Sequence, residues 1–254
     1  MTLTFAIIFF IFGLIIGSFL NVIIYRLNTR RSFFRSFGGR SACMSCQNRL
    51  SWYELIPLLS FLGLQGRCRN CKTKISIQYP LVELLTGLIF LSLFLKFQDI
   101  FFTSTFLFAV TYIYYTTTFS LLLVIAVYDL RHKIIPDSLV LTFCALCIFS
   151  INGAFFGGIF LAIPFAFLWL VSKGAWIGLG DAKLVLGLGW FLGLYQALSA
   201  IMLAFWSGSL VGLALLIFKK TSAGMKTEIP FAPFLIAGSF VSFIFNLRLL
   251  EIHF

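Results

Sequence analysis

Apolar residues run together along most of this chain, in stretches that lack the alternation of lipid-facing barrel strands. The first, Leu3 to Tyr25, is 23 residues long. Others lie at about 81–97, 101–128, 138–151, 154–171, 184–218 and 231–247. A helix rising about 1.5 Å per residue needs about 20 residues to cross a hydrocarbon core of about 30 Å. Most runs approach or exceed that length, and a spanning segment must satisfy its own backbone hydrogen bonds, so helices are the expected form. The run at 184–218 would reach about 52 Å as one helix, so it is expected to make two crossings bent near Gly193. The pattern predicts an all-α polytopic membrane protein with about eight transmembrane helices.

The polar breaks set the expected orientation. Ten of the 19 Lys and Arg lie between Arg26 and Lys74, and the others sit mainly in short connections. By the positive-inside rule the N-terminus lies outside and Arg26 inside. Loops holding Arg131 and Lys133, Lys173 and Lys183, and Lys219, Lys220 and Lys226 then also fall inside, which puts 17 of 19 basic residues on the cytosolic side of a bacterial inner membrane. The expected domains are a first span at 1–25, a basic cytosolic loop at 26–80 and a transmembrane core at 81–254.

Composition adds two exclusions. With 61% hydrophobic and 11% charged residues, the chain is far from the usage of soluble domains. The net charge of +11 is the kind of balance that phosphate binding uses, but its placement follows topology, so no nucleic-acid partner is expected.

Two constellations carry candidate chemistry. Cys43-Met-Ser-Cys46 and Cys68-Arg-Asn-Cys71 are paired knuckles separated by 21 residues; four thiolates so spaced can close a tetrahedral shell around zinc, with no position left for water. A structural zinc-ribbon-like insertion is expected, because disulfides are rare in the reducing cytosol. Cys144 and Cys147 share the spacing but fall in an apolar helix, where packing explains them.

The eight acidic residues form the second. Asp129 closes an apolar run and opens the stretch to Pro136 and Asp137; Asp181 ends Gly178-Leu-Gly180-Asp181, just before Lys183 and another apolar run. Acids at a membrane boundary are costly unless they serve a function or face water. Brought together, two carboxylates hold one shared proton and supply an acid and a base. Gly178 and Gly180 would let substrate lie close to Asp181. Taken singly, Asp129 and Asp181 also read as N-cap or loop charges, solvated at the headgroup level and paired with Arg131 or Lys183. Asp137 after Pro136 reads as a helix-start cap, and Glu83 as an N-terminal electrostatic group or an aid to binding a basic peptide.

Gly17-Ser18-Phe19-Leu20-Asn21-Val22, the two knuckles, Tyr79-Pro80-Leu81-Val82-Glu83, Asp129 through Asp137, Gly178 through Lys183 and Pro230-Phe231-Ala232-Pro233-Phe234 together resemble the type IV prepilin leader peptidases. The resemblance covers nearly the whole chain. It implies an aspartic peptidase of the GxGD type with Asp129 and Asp181 as its catalytic pair. The implied substrates are prepilins, or the pseudopilins of type II secretion, cut after the glycine ending a basic leader. It also implies N-methylation of the new N-terminus with S-adenosylmethionine. Two departures stand out: Gln78 where arginine is frequent, and Ala232 where glycine is common. The competing expectations are a non-catalytic zinc-ribbon scaffold and an ion- or proton-coupled transporter. Neither the oligomeric state nor the particular pilin is legible.

Overall fold

The computed structural model describes residues 2–27, 42–43, 45–148, 155–218 and 229–249. The basic residues Arg30, Arg31, Arg35, Arg40, Lys219, Lys220 and Lys226, which enter the expected orientation, lie outside the described residues. Nine α-helices form among the described residues: α1 (Thr2–Arg26), α2 (Leu59–Gly63), α3 (Gln78–Thr103), α4 (Thr105–His132), α5 (Asp137–Cys147), α6 (Phe155–Ser172), α7 (Leu179–Leu192), α8 (Leu194–Phe218) and α9 (Ala232–Ile244). A 3₁₀ turn, Trp52–Leu55, precedes α2. No strand forms among these residues, only the isolated bridges Ala42 to Arg49 and Arg67 to Lys74.

The all-α membrane architecture stands, but the count of eight crossings is not established. Five helices, α1, α3, α4, α6 and α8, are long and apolar enough to cross a membrane. With 11, 14 and 13 residues, α5, α7 and α9 rise only about 17 to 21 Å, short of an upright crossing. The expected break at Gly193 is present: that residue has φ 79° and separates α7 from α8. Ile8, Phe160 and Leu216 are 53%, 64% and 68% exposed, as lipid-facing side chains are.

The chain forms two compact units, residues 1–120 and 121–254. In the first, α1 packs along α3. A Cβ on Gly17 would lie 2.7 Å from Glu83 Cα, so only glycine lets the two backbones come this close, the usual device for helix packing in lipid. Phe9, Phe94, Phe108 and Tyr112 interlock further along, and the Tyr112 hydroxyl donates to the Phe90 carbonyl at 2.9 Å.

In the second unit α7 is the hub, packed against α5, α6, α8 and α9. Leu184, Val185, Leu188 and Phe191 are buried there. Small residues again set the spacing: a Cβ on Gly189 would lie 2.4 Å from Gly158 Cα, and one on Gly187 2.5 Å from the Phe143 ring.

Candidate active site and metal site

Asp129 lies in the last turn of α4, and Asp181 is the third residue of α7. Both are buried, at 4% and 9% exposure, which does not fit the alternative of solvated loop charges. The Asp129 carboxylate is near enough to act electrostatically on that of Asp181.

One oxygen of Asp181 is fixed by local structure. Gly178 caps α7 and has no side chain to offer, so Asp181 reaches back and its Oδ2 accepts the Gly178 N–H at 3.2 Å; this is the N3 half of a capping box. Asp129 accepts a backbone hydrogen bond from Ala232, the first residue of α9. Each carboxylate thus meets the amide-rich start of a helix, where negative charge is favoured. Asp181 Oδ1 is buried and has no hydrogen-bond partner among the described residues. An unpartnered buried acceptor costs about 1–3 kcal/mol.

Gly180 serves packing. A Cβ there would lie 2.9 Å from Ile135 Cβ, so Ile135 fills the space that the sequence reading leaves to substrate. This contact docks the 133–136 segment, which follows Asp129, onto the start of α7. At Gly178 the nearest atom to an added Cβ would be Asp181 Oδ2 at 3.2 Å; the glycine makes room for the carboxylate itself.

Pro136 occupies the N-cap of α5, with no side-chain cap hydrogen bond. Asp137 opens the helix as expected, but caps no amide: its Oδ1 lies 2.6 Å from Lys183 Nζ. Lys183 is thereby committed to α5, although it stands two positions from Asp181.

Glu83 lies in the second turn of α3. Its Oε2 accepts the Leu58 N–H at 2.9 Å, and Ser18 also hydrogen-bonds it. One helical turn away, Asn21 Nδ2 donates to the Tyr79 carbonyl at 3.0 Å, and Tyr25 stacks on Tyr79 with ring centroids 4.9 Å apart. The 17–22 and 79–83 motifs are therefore two sides of one helix contact.

The four knuckle cysteines converge, with all Sγ atoms within 4.8 Å of one another. Cys43 and Cys71 Sγ lie 3.7 Å apart, close to the ~3.8 Å edge of a tetrahedron whose zinc–sulfur bonds are about 2.3 Å. The knuckles are built alike. Cys43 N–H donates to Asn48 O and Gln47 N–H to Cys43 O; Cys68 N–H donates to Thr73 O and Lys72 N–H to Cys68 O. Gln47 and Lys72 both take positive φ, 56° and 58°. Hydrogen bonds from the Thr73 hydroxyl and backbone bring the exposed Cys71 thiol down to about 6. The donor set and its spacing fit a metal. Cys144, by contrast, packs under Gly187.

Ile135, Leu58 and the Ala232 amide join these contacts although they are not among the residues the sequence points to. Only Ala232 gives a signal, the flanking Pro230 and Pro233, and it marks a turn without saying what the turn presents.

Curated relatives match over most of this chain. A protein of Myxococcus xanthus (strain DK1622), a prepilin leader peptidase/N-methyltransferase, is 37% identical over 88% of this chain and 67% of its own length. Relatives of the same name in Bacillus subtilis (strain 168) and Stutzerimonas stutzeri are 32% and 31% identical, covering 94% and 96% of this chain and 94% and 92% of theirs. Residues 116–217 match the model of the type IV leader peptidase family, and residues 11–97 that of the bacterial peptidase A24 N-terminal domain.

The chain belongs to the type IV leader peptidase family.

Asp129, Asp137, Gly178, Gly180, Asp181 and Lys183 fall in the family's peptidase segment, and the four cysteines and Glu83 in its N-terminal domain. No solved structure matches the chain.

Proposed function

We propose that this protein is a prepilin leader peptidase in which Asp129 and Asp181 share the hydrolytic chemistry. The observation that carries the reading is the pairing of two buried carboxylates, one of which keeps a buried oxygen without a hydrogen-bond partner. Two such groups hold one proton between them. The ionised member takes a proton from water as the water oxygen bonds to the scissile carbonyl carbon. The protonated member donates to the carbonyl oxygen, and a tetrahedral diol forms. As the carbon–nitrogen bond breaks, the protonated carboxyl gives its proton to the departing amine while the other takes one from a diol hydroxyl as the carbonyl re-forms, and the pair again holds one proton. The Gly178 and Ala232 amides hold one side of each carboxylate, which leaves Asp181 Oδ1 for the reaction.

The substrates under this reading are prepilins or pseudopilins, cut after the glycine that ends a basic leader at the cytosolic face of the bacterial inner membrane. The same placement of basic residues supports that orientation. Cys43, Cys46, Cys68 and Cys71 hold one zinc, which supplies a structural cross-link between the knuckles. The names of the relatives support a second activity, N-methylation of the newly exposed amine by S-adenosylmethionine. Co-expression with a prepilin tests both activities. Loss of the leader appears as a size shift, and transfer adds one methyl to the mature N-terminus; a normal size shift with Asp129→Asn or Asp181→Asn would sink the dyad.

A further inference from the structure

The segment between the two knuckles exposes large apolar residues: Trp52 at 77%, Leu55 at 41%, Leu59 at 67% and Leu62 at 70%. Leu59 and Leu62 stand three apart on α2 and share a face. Tyr53, Ile56 and Leu59 line one shallow, mainly apolar cavity of about 300 Å³, to which Glu54 and Ser60 also contribute, so the 3₁₀ turn and α2 are packed side by side. Solvent-exposed surface of this kind on a loop calls for an occupant.

Three observations choose the occupant. The Leu58 N–H is bonded to Glu83 Oε2 at 2.9 Å, which holds the segment one contact away from α3, a helix of membrane-spanning length. Ile77 and Leu81, just before and inside the first turn of α3, are exposed at 74% and 49%, so the start of this membrane-length helix also presents exposed apolar side chains. Finally, residues 42–77 carry Arg49, Arg67, Arg69, Lys72 and Lys74, all exposed, against a single acid, Glu54. An apolar face with an indole beside a basic polar face is the composition of elements that lie in a membrane interface, and basic residues there are drawn to anionic lipid.

We propose that Trp52–Leu64 is an interfacial anchor that seats the metal-binding module in the headgroup region of an anionic leaflet, with Trp52, Leu59 and Leu62 inserted at the acyl boundary. The module is then a membrane-surface element and not a domain standing off in solvent. The proposal is independent of the peptidase reading, because no residue in it belongs to the aspartate pair.

The test uses the full chain in nanodiscs of phosphatidylethanolamine and phosphatidylglycerol. The photoreactive residue p-benzoylphenylalanine replaces Leu62 or, as a control, the exposed Asn70 of the second knuckle. Irradiation is expected to give phospholipid adducts at position 62 about tenfold above those at position 70, as insertion of an apolar face requires. Equal yields at the two positions would overturn the proposal. So would adducts at position 62 to a second copy of the chain, or to a co-reconstituted prepilin, in place of lipid. Quenching of tryptophan emission by shallow-brominated lipid provides a second readout: Trp52→Phe should remove part of the quenchable signal, and unchanged quenching counts against insertion.

Discussion

Lys183 stands two residues after Asp181, yet its ammonium lies 2.6 Å from Asp137 Oδ1. The helix explains the diversion. Asp181 is turned back onto the Gly178 amide, while residue 183 emerges toward the start of α5. The Lys183 cation is thus engaged by Asp137 and not by Asp181.

Asp129→Asn and Asp181→Asn each keep the shape of the site but remove an ionisable oxygen. Either is expected to lower leader cleavage by at least the about 10²–10⁴-fold that acid–base catalysis contributes. Quantitative processing of a prepilin, alongside membrane-fraction levels of the variant, measures it. Because the two groups act as a unit, the double variant should lose little more than either single one.

The ion pair that diverts Lys183 is not expected to hold the fold together. The Asp137 side chain is 66% exposed and that of Lys183 34%, and such pairs contribute about 0–1 kcal/mol. A double-mutant cycle of Lys183→Met and Asp137→Asn, read by thermal unfolding in detergent, should give a coupling within that range.

Gly180→Ala would push a methyl to 2.9 Å from Ile135 Cβ. Overpacking of this kind costs about 1–3 kcal/mol. Cleavage should fall with stability, since the displaced segment follows Asp129. Adding Ile135→Ala removes the Cδ1 and Cγ1 contacts at 3.2 and 3.4 Å and should recover part of both losses, and Ile135→Gly, which also removes the Cβ at 2.9 Å, should relieve the clash itself; no recovery with either would mean that Gly180 serves something other than this packing.

Glu83→Ala leaves the Leu58 amide without its acceptor, at a cost of about 1–3 kcal/mol. Glu83→Gln retains a carbonyl oxygen in the same place and should lose less. Limited proteolysis of the 51–64 segment ranks the two variants, and equal cleavage would mean that the bond does not hold the loop.

In chelator-stripped protein the Cys71 thiol, lowered to about 6, is mostly thiolate at neutral pH. Its alkylation by iodoacetamide should therefore be near its plateau at pH 7 and fall as pH drops below 6. Thr73→Val removes the hydroxyl that contributes most to the shift and should move the midpoint upward, which peptide mass spectrometry can follow. Zinc bound by all four cysteines would protect Cys71 throughout.

Much of this protein is written locally. The apolar runs mark the helices because a bilayer rewards uninterrupted apolar sequence, and Gly193 marks the α7–α8 break because its positive φ is costly for other residues. The cysteine knuckles are equally legible, since short-range spacing alone brings two thiols of each pair together. Asp129 and Asp181 can be picked out by their rarity in an apolar chain and by their motif.

Tertiary packing decides the rest. That Lys183 binds Asp137, that Ile135 fills the space above Gly180, that Leu58 docks on Glu83 and that the start of α9 offers its amide to Asp129 all join residues 25 or more positions apart, or pair side chains whose direction depends on where a helix begins. The length of each helix also belongs here, and it leaves α5 and α9 shorter than their apolar runs suggested. Composition and spacing specify which groups a chain carries and which segments prefer lipid. Only the packed helices specify which oxygen is satisfied and which, like Asp181 Oδ1, is left without a partner.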